Sequence, residues 1–497
     1  MGMTESAHYK EQIIVEYRGN PFIEALPVIY DVGEVIEKLT EYPTFEEEEK
    51  ILPPHLKVHS IQRIFNYFQP LPMHIDLESR ISRLIRQGYV WRNPFSPYYI
   101  KQMNDNCEIQ NYYGDIFADN NRTTGSGLTI IGVSGLGKST AINRIMSLYP
   151  AVIVHESYKN KRFAHKQMVW MKLDCPHDGS LKSLCLSFFQ KVDDHLGTSY
   201  FQRYGSGRQA VSVLVPVMAK VAQSISLGLL IIDEIQHASL GKSGGAEKML
   251  NFFVTLVNLI GLPVVLIGTP SAMKLLQSQF RQARRGSGQG DMIWDRLEND
   301  ESWKLLLDGL WRYQWTDELT IQTEGLINLL YEKSQGITDI AIKIFAMGQI
   351  HAIMTGEKCL NENLVEYTAE NYLRLIQPMI EAIKRKDIRA MGGFEDIYLP
   401  KIDNFIIPDI ESDYSRRMEA ILKVRNEKSR SNNPKTKQNS EVILSKRTKG
   451  NQQYDERDLK EIVLNGKKSG ITSYEALKEK GYIKEETWSE IIGSDVG

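Results

Sequence analysis

A chain of 497 residues is too long for one hydrophobic core and suits two or three domains. With 42% hydrophobic residues, 25% charged residues and a formal net charge of -2, it is neither a disordered chain nor a globally basic one, so any contact with nucleic acid has to be local. The four cysteines, Cys107, Cys175, Cys185 and Cys359, show no C-x-x-C spacing, no apolar run has the length of a membrane span and no secretory pattern opens the chain, which together predict a reducing, cytoplasmic setting without a zinc ribbon, a disulfide framework or a membrane partner.

In chain order, residues 1–100 mix aromatic and proline-rich stretches with short helical patterns and read as an irregular partner-recognition region. Within it, Thr44 followed by the acids at 46–49 predicts a capped helix start whose carboxylates complement the helix dipole and face water. From 128 to 269, short β-branched runs at 128–133, 169–175, 227–233 and 264–269 alternate with longer helical segments, the pattern of a parallel α/β sheet. Residues 101–320 are therefore assigned to an α/β nucleotide-binding subdomain. A helical subdomain over 321–390 follows, with Leu326, Leu329, Leu330, Ile340 and Ile344 at helical spacing. The remainder, 391–497, reads as a flexible C-terminal tail for partner binding: residues 415–449 hold eleven Lys or Arg against three Glu, which predicts a mobile basic linker, and short helical patterns return at 455–488.

The sharpest motif is Gly132-Val-Ser-Gly-Leu-Gly-Lys-Ser139, which follows an apolar strand and precedes a helical pattern, the context a P-loop requires. Backbone N–H groups around Gly132, Ser134, Gly135 and Gly137, with the helix start at Thr140, converge on phosphate oxygens. Lys138 neutralises the β and γ phosphates, and the Ser139 hydroxyl is offered to Mg2+. About ninety-five residues on, the apolar run at 229–232 ends in Asp233 and Glu234, where carboxylates are costly unless they meet a cation or donors. Asp233 is assigned to the magnesium shell and Glu234 to polarising the attacking water. No N-K-x-D or T-K-x-D pattern is present to read guanine, so ATP is the expected nucleotide. Thr269 ends the fourth strand at the same edge of the sheet, where ligands of open α/β sheets bind; its alternative is a plain bond to the next turn. Arg281, Arg284 and Arg285 share one helix face, and one of them is expected to reach a neighbouring subunit's ATP; the alternative is a solvated or DNA-facing basic patch.

On these residues, together with those at 20–27, 89–94, 178–182, 230–237, 243–245, 249–255, 266–270 and 283–286, the chain resembles the TnsC family, the AAA+ ATPase regulators of Tn-seven-like transposons, CRISPR-associated ones included. The likeness runs from about residue 17 to about 385. It implies an AAA+ P-loop ATPase fold, a parallel sheet with a small helical lid, and a sensor role for Thr269. It also implies an ATP-bound homo-oligomer, a ring or filament, on double-stranded DNA. That assembly would link a target-selection protein, met by the N-terminal segment, to transposase and endonuclease subunits, met by the tail, until hydrolysis disassembles it. One departure from related initiator-type ATPases is Asp339, which stands where a second-sensor arginine is expected, with Lys343 one turn on.

DNA contact of this kind has to be electrostatic and blind to sequence, and Lys159, Lys161, Arg162, Lys182 and Arg203, beside the sheet, are the candidates. Cys175 and His177 lack the further ligands of a closed metal site, and Trp303, Trp311 and Trp315 sit among leucines that argue for packing. Two other readings share the nucleotide core: a helicase-loader or insertion-sequence helper ATPase, and a signalling ATPase that oligomerises without DNA.

Overall fold

Strands form where β-branched and apolar residues can fill both faces of a sheet. In chain order they are β1 (Thr4–Ser6), β2 (Gly127–Gly132), β3 (Val152–Tyr158), β4 (Lys161–Met168), β5 (Trp170–Asp174), β6 (Leu229–Asp233), β7 (Val264–Gly268) and β8 (Asp291–Trp294). The computed structural model describes residues 4–97, 99–100, 127–205, 209–240, 245–273, 276, 289–385 and 409–431. The chain divides into one unit, Met1–Arg425, and another, Asn426–Gly497, of which only the helical residues 426–431 are described.

Five strands pair in the order β5-β6-β7-β2-β8, all parallel. The strand that carries the P-loop is thus separated from β6 by β7, so Asp233 approaches the loop across one intervening strand. Alternation along each strand divides the core: Leu229, Ile231, Val265, Ile267, Leu128 and Ile130 face one cluster, while Leu230, Ile232, Val264, Leu266 and Ile131 face the other. Each fully buried aliphatic side chain contributes about 1.5–3 kcal/mol. The four expected strands therefore stand where the apolar runs put them, with ends shifted by at most two residues.

Four further strands were not expected. β3 and β4 form an antiparallel hairpin, extended by β1 parallel to β3. Its two-residue turn, Lys159 and Asn160, has φ of 48° and 64°, the left-handed pair that matches the twist of the flanking strands. The outer edge of the main sheet is β8, paired with β2.

The first hundred residues pack into the same core as the sheet and the later helices. Phe22, Ile64, Leu84 and Tyr89 share one cluster with Ile142, Trp303, Trp315 and Phe345. The helix Pro72–Val90 ends on β-sheet loops: the Tyr89 hydroxyl donates to the Ser226 carbonyl at 2.7 Å, and Arg92 Nη1 donates to the Leu227 carbonyl at 2.6 Å. Trp303, Trp311 and Trp315 are buried, as the leucines around them predicted. The helix Thr338–Thr355 is apolar nearly all round because it is sandwiched between the helices Pro54–Ile61 and Glu362–Tyr372.

Two expectations are corrected. Thr44 caps no helix: the acids begin a 3-10 turn, Glu47–Ile51, with no side-chain cap, and Arg63 Nη1 donates to the Thr44 carbonyl at 2.9 Å. Glu49 does not face water but accepts from Arg63 and, at 2.7 Å, from Trp315 Nε1. The basic stretch read as a mobile linker from 415 onwards starts as part of a helix, Asp409–Ser431. Met418 and Ile421 are buried in the main core, Arg417 pairs with Asp76 at 3.2 Å and Arg425 with Asp308 at 3.1 Å. Charge composition concealed a helix with one short apolar stripe. The rest of the tail, 391–408 and from 432 on, lies outside the described residues, as does Cys107.

Candidate nucleotide-binding site

The loop after β2 turns sharply because two glycines take left-handed backbone, Gly135 with φ 83° and Gly137 with φ 77°, and Gly137 then caps the helix Lys138–Met146. Gly132 is equally constrained, since a Cβ there would stand 2.7 Å from the Trp294 carbonyl oxygen on β8. Lys138 Nζ donates to the carbonyls of Gly132 at 2.6 Å and Val133 at 2.9 Å, which holds the ammonium over the loop. Ser134 and Thr140 are exposed at the loop's mouth.

Across the cleft, Asp233 ends β6 with its side chain 5% exposed. The Ser139 hydroxyl donates to Asp233 Oδ2 at 2.7 Å, and the Glu234 N–H donates to Oδ1 at 3.0 Å. Two hard oxygen ligands from separate elements thus meet beside the phosphate loop, which fits a magnesium ion held by Ser139 and Asp233. Bound there with a nucleotide, Mg2+ would supply charge neutralisation at the β and γ phosphates. Glu234 adopts φ 56°, a left-handed conformation costing a non-glycine residue about 1–2 kcal/mol, and this turns its carboxylate into the cleft.

Gln236, which motif reading passed over, ties this acid to the sensor position. Its Nε2 donates to Glu234 Oε2, and its Oε1 accepts the Thr269 N–H at 3.2 Å. Thr269 is buried, lines the cleft and shares a hydrogen bond of 2.8 Å with Ser271, so it meets both the ligand side and the next turn. In the sequence Gln236 stands two residues after the acidic pair, inside the stretch 230–237 that carries the family resemblance, with no role of its own assigned to it.

The lid closes the opposite side. The Asp339 N–H and the Thr338 hydroxyl both donate to the Gly135 carbonyl at 3.1 Å. Asp339 pairs with Lys343 at 2.6 Å, so the position expected of a second sensor holds an acid neutralised by the lysine one turn on. The loop residues 134–140, Asp233, Glu234, Thr269, Thr338 and Asp339 line a cavity of about 330 Å³ whose far wall is largely apolar and aromatic, with Phe65, Tyr67, Phe68, Leu71, Met73 and His74 beside Gln69, Leu306 and Ile342. Burial pushes His74 down to about 3, so the ring is neutral, and its Nδ1 accepts the Leu71 N–H at 3.0 Å. The apolar, aromatic half suits a purine and the polar half a triphosphate. Nothing in residues 65–74 pointed to this role, because they lie some sixty residues before the loop they face.

The structure brings Gly132, Ser134, Gly135, Gly137, Lys138, Ser139, Thr140, Asp233, Glu234 and Thr269 around one cleft. Arg281, Arg284 and Arg285 lie outside the described residues. Among the DNA candidates, Lys159, Lys161 and Arg162 are exposed together at the β3–β4 tip, with Lys159 Nζ 3.8 Å from Glu24. Lys182 is half-buried in the first turn of the helix Leu181–Leu196, and Arg203 is exposed on the short helix Tyr200–Tyr204, near Asp193. These two do not share the hairpin. Among the described residues no cluster of His, Cys, Asp and Glu suits a metal ion of its own, and His237 merely faces the Cys175 carbonyl at 3.3 Å and lies tilted against His177. Among the described residues, no helix is long and apolar enough to cross a membrane.

Residues 121–276 match the family described as AAA domain, and no curated protein matches the chain. Among solved structures, the ORC2 protein of Aeropyrum pernix aligns at 12% identity and a TM-score of 0.34 over 61% of this chain and 89% of that one. Cdc6p of Pyrobaculum aerophilum aligns at 14% and 0.35 over 67% and 84%, and a Walker-type ATPase of Pyrococcus abyssi at 13% and 0.33 over 66% and 90%. Likeness this shallow carries no binding or assembly property across. The fold is that of an AAA+ P-loop ATPase: a parallel α/β sheet with the P-loop and acidic strands at one edge and helices on both faces.

Proposed function

We propose that this chain binds Mg-ATP, hydrolyses it, and assembles as a homo-oligomer on double-stranded DNA, where it links a target-selection protein to transposase and endonuclease subunits until hydrolysis takes the assembly apart. The observation that carries the reading is the convergence of Lys138, Ser139, Asp233, Glu234 and Thr269 on one cavity with an aromatic wall. In this scheme Lys138 and the loop amides hold the phosphates, Ser139 and Asp233 hold the ion, and Glu234, restrained by Gln236, orients the attacking water. Support for the transposition role is the sequence resemblance over residues 17–385.

The exposed hairpin tip favours Lys159, Lys161 and Arg162 as phosphate contacts, with Lys182 and Arg203 as a second pair. Replacing the tip trio by alanine should flatten the salt dependence of DNA binding by a slope of up to about 2.7, at roughly 0.9 per phosphate contact. Arg281, Arg284 and Arg285 remain the candidates for completing a neighbour's site: mixing a Lys138→Ala protein with one lacking the three arginines should restore turnover if sites are shared.

The deciding experiment is electron microscopy of the protein with duplex DNA and a slowly hydrolysed ATP analogue, with ADP, or with neither. Rings or filaments on DNA with the analogue alone are expected. Assembly indifferent to DNA would favour a signalling ATPase, and absence of assembly would overturn the proposal.

A further inference from the structure

A lysine stands where the metal shell has to form. On β5 the side chains alternate, with Met171 and Leu173 entering the core cluster on one face and Lys172 turning to the other, toward the helix Lys138–Met146. A lysine at the edge of a sheet ordinarily extends its ammonium into water. Lys172 is instead only 19% exposed: its Nζ sits 2.8 Å from Asp233 Oδ2 and donates to Asn143 Oδ1 at 3.3 Å. That carboxylate oxygen is also the one that accepts the Ser139 hydroxyl at 2.7 Å.

We propose that Lys172 makes divalent-cation occupancy of this site depend on nucleotide, by holding a fixed positive charge on the Asp233 oxygen that the ion has to use. The inference rests on the reading that Ser139 and Asp233 are the metal ligands. An ion held by these two groups would lie close to the ammonium already paired with Asp233 Oδ2, and the Asp233 carboxylate alone cannot neutralise a dication and a lysine together. The phosphates of a bound nucleotide supply the missing negative charge, so metal and nucleotide are retained as a pair while the metal alone is held weakly. Lys172 is thus a positioning residue that acts through Asp233. Asn143, on the P-loop helix, keeps the ammonium in place by accepting its second hydrogen bond.

The test measures Mn2+ binding to the full chain by electron paramagnetic resonance, with and without a non-hydrolysable ATP analogue. The parent should bind Mn2+ far more tightly with the analogue than without it. Lys172→Met should tighten binding about tenfold without nucleotide and narrow the difference between the two conditions. Lys172→Gln, which keeps a hydrogen-bond donor and loses the charge, should behave like Lys172→Met and also serves if the methionine variant does not fold. Lys172→Arg should stay near the parent. If neither neutral variant binds Mn2+ more tightly than the parent without nucleotide, the proposal is overturned while the metal site stands. If the parent's Mn2+ binding with the analogue survives Asp233→Asn unchanged, the metal-site reading falls and this inference falls with it.

Discussion

Gly135 and Gly137 offer a matched pair for testing how the P-loop is built. Both have left-handed φ, so alanine at either costs about 1–2 kcal/mol of backbone strain, offset by about 0.4–1 kcal/mol from a less flexible unfolded chain. They differ in their surroundings. A Cβ on Gly137 meets nothing within 4 Å, whereas one on Gly135 stands 2.9 Å from Ile337 Cγ2 and 3.5 Å from Asp339 Cβ, where the lid touches the loop. Overpacking of that kind adds about 1–3 kcal/mol. Gly137→Ala should therefore lose on the order of 1 kcal/mol and Gly135→Ala about 2–4 kcal/mol, read from the urea midpoint and from affinity for a fluorescent ATP analogue. Ile337→Ala removes the clashing methyl, so in that background the Gly135→Ala penalty should fall toward the Gly137→Ala value, a coupling of about 1 kcal/mol or more. Equal losses for the two glycine variants, or no coupling to Ile337, would refute the claim that lid and loop are in contact at this point.

Glu234→Gln should leave analogue affinity within a few-fold and lower hydrolysis by about 10²–10⁴, measured as phosphate release in single turnover; unchanged turnover would remove Glu234 from the water-orienting role. Burial lowers His74 from 6.5 to about 3, and burial followed by the neighbouring His155 lowers His165 to about 4, so the folded chain keeps both neutral where the unfolded chain takes up protons. Their contribution is complete above pH 6.5 and is lost as pH falls from there toward 4, at up to about 2.7 kcal/mol per pH unit for the pair. Tryptophan fluorescence during acid titration should follow that window, and His165→Gln should make the loss shallower. Ile421→Ala empties a fully buried position under the helix Asp409–Ser431 and should cost about 2–5 kcal/mol, with faster proteolysis around residue 409 as its sign; parental resistance would show that the helix is not anchored there.

Much of the candidate nucleotide site was legible in the sequence because its chemistry is local. The spacing from Gly132 to Ser139 and the acids after 229–232 stand next to the strands that carry them, and apolar runs marked four of the five main strands. Residues 161–168 escaped notice because the strand is largely exposed, which dilutes the apolar alternation, and β8 is only four residues long. The start of the basic stretch, 415–431, is helix rather than linker, because two buried residues, Met418 and Ile421, dock it while its charge dominates the composition; 432–449 lies outside the described residues. Arg281, Arg284 and Arg285 stay where sequence reasoning left them.

What the amino-acid order determines by itself is the turn geometry of the phosphate loop, the pairing of lysine with hydroxyl on one helix start, and the acidic strand end, since each needs only neighbours in the chain. Tertiary structure alone decides that residues 65–74 wall the apolar end of the cleft, that Gln236 links Glu234 to Thr269, and that Lys172 lands on Asp233 Oδ2. These contacts join residues from two to about two hundred and seventy positions apart. They depend on strand order, register and the sharp turn at Glu234, none of which is written in any short run of the sequence.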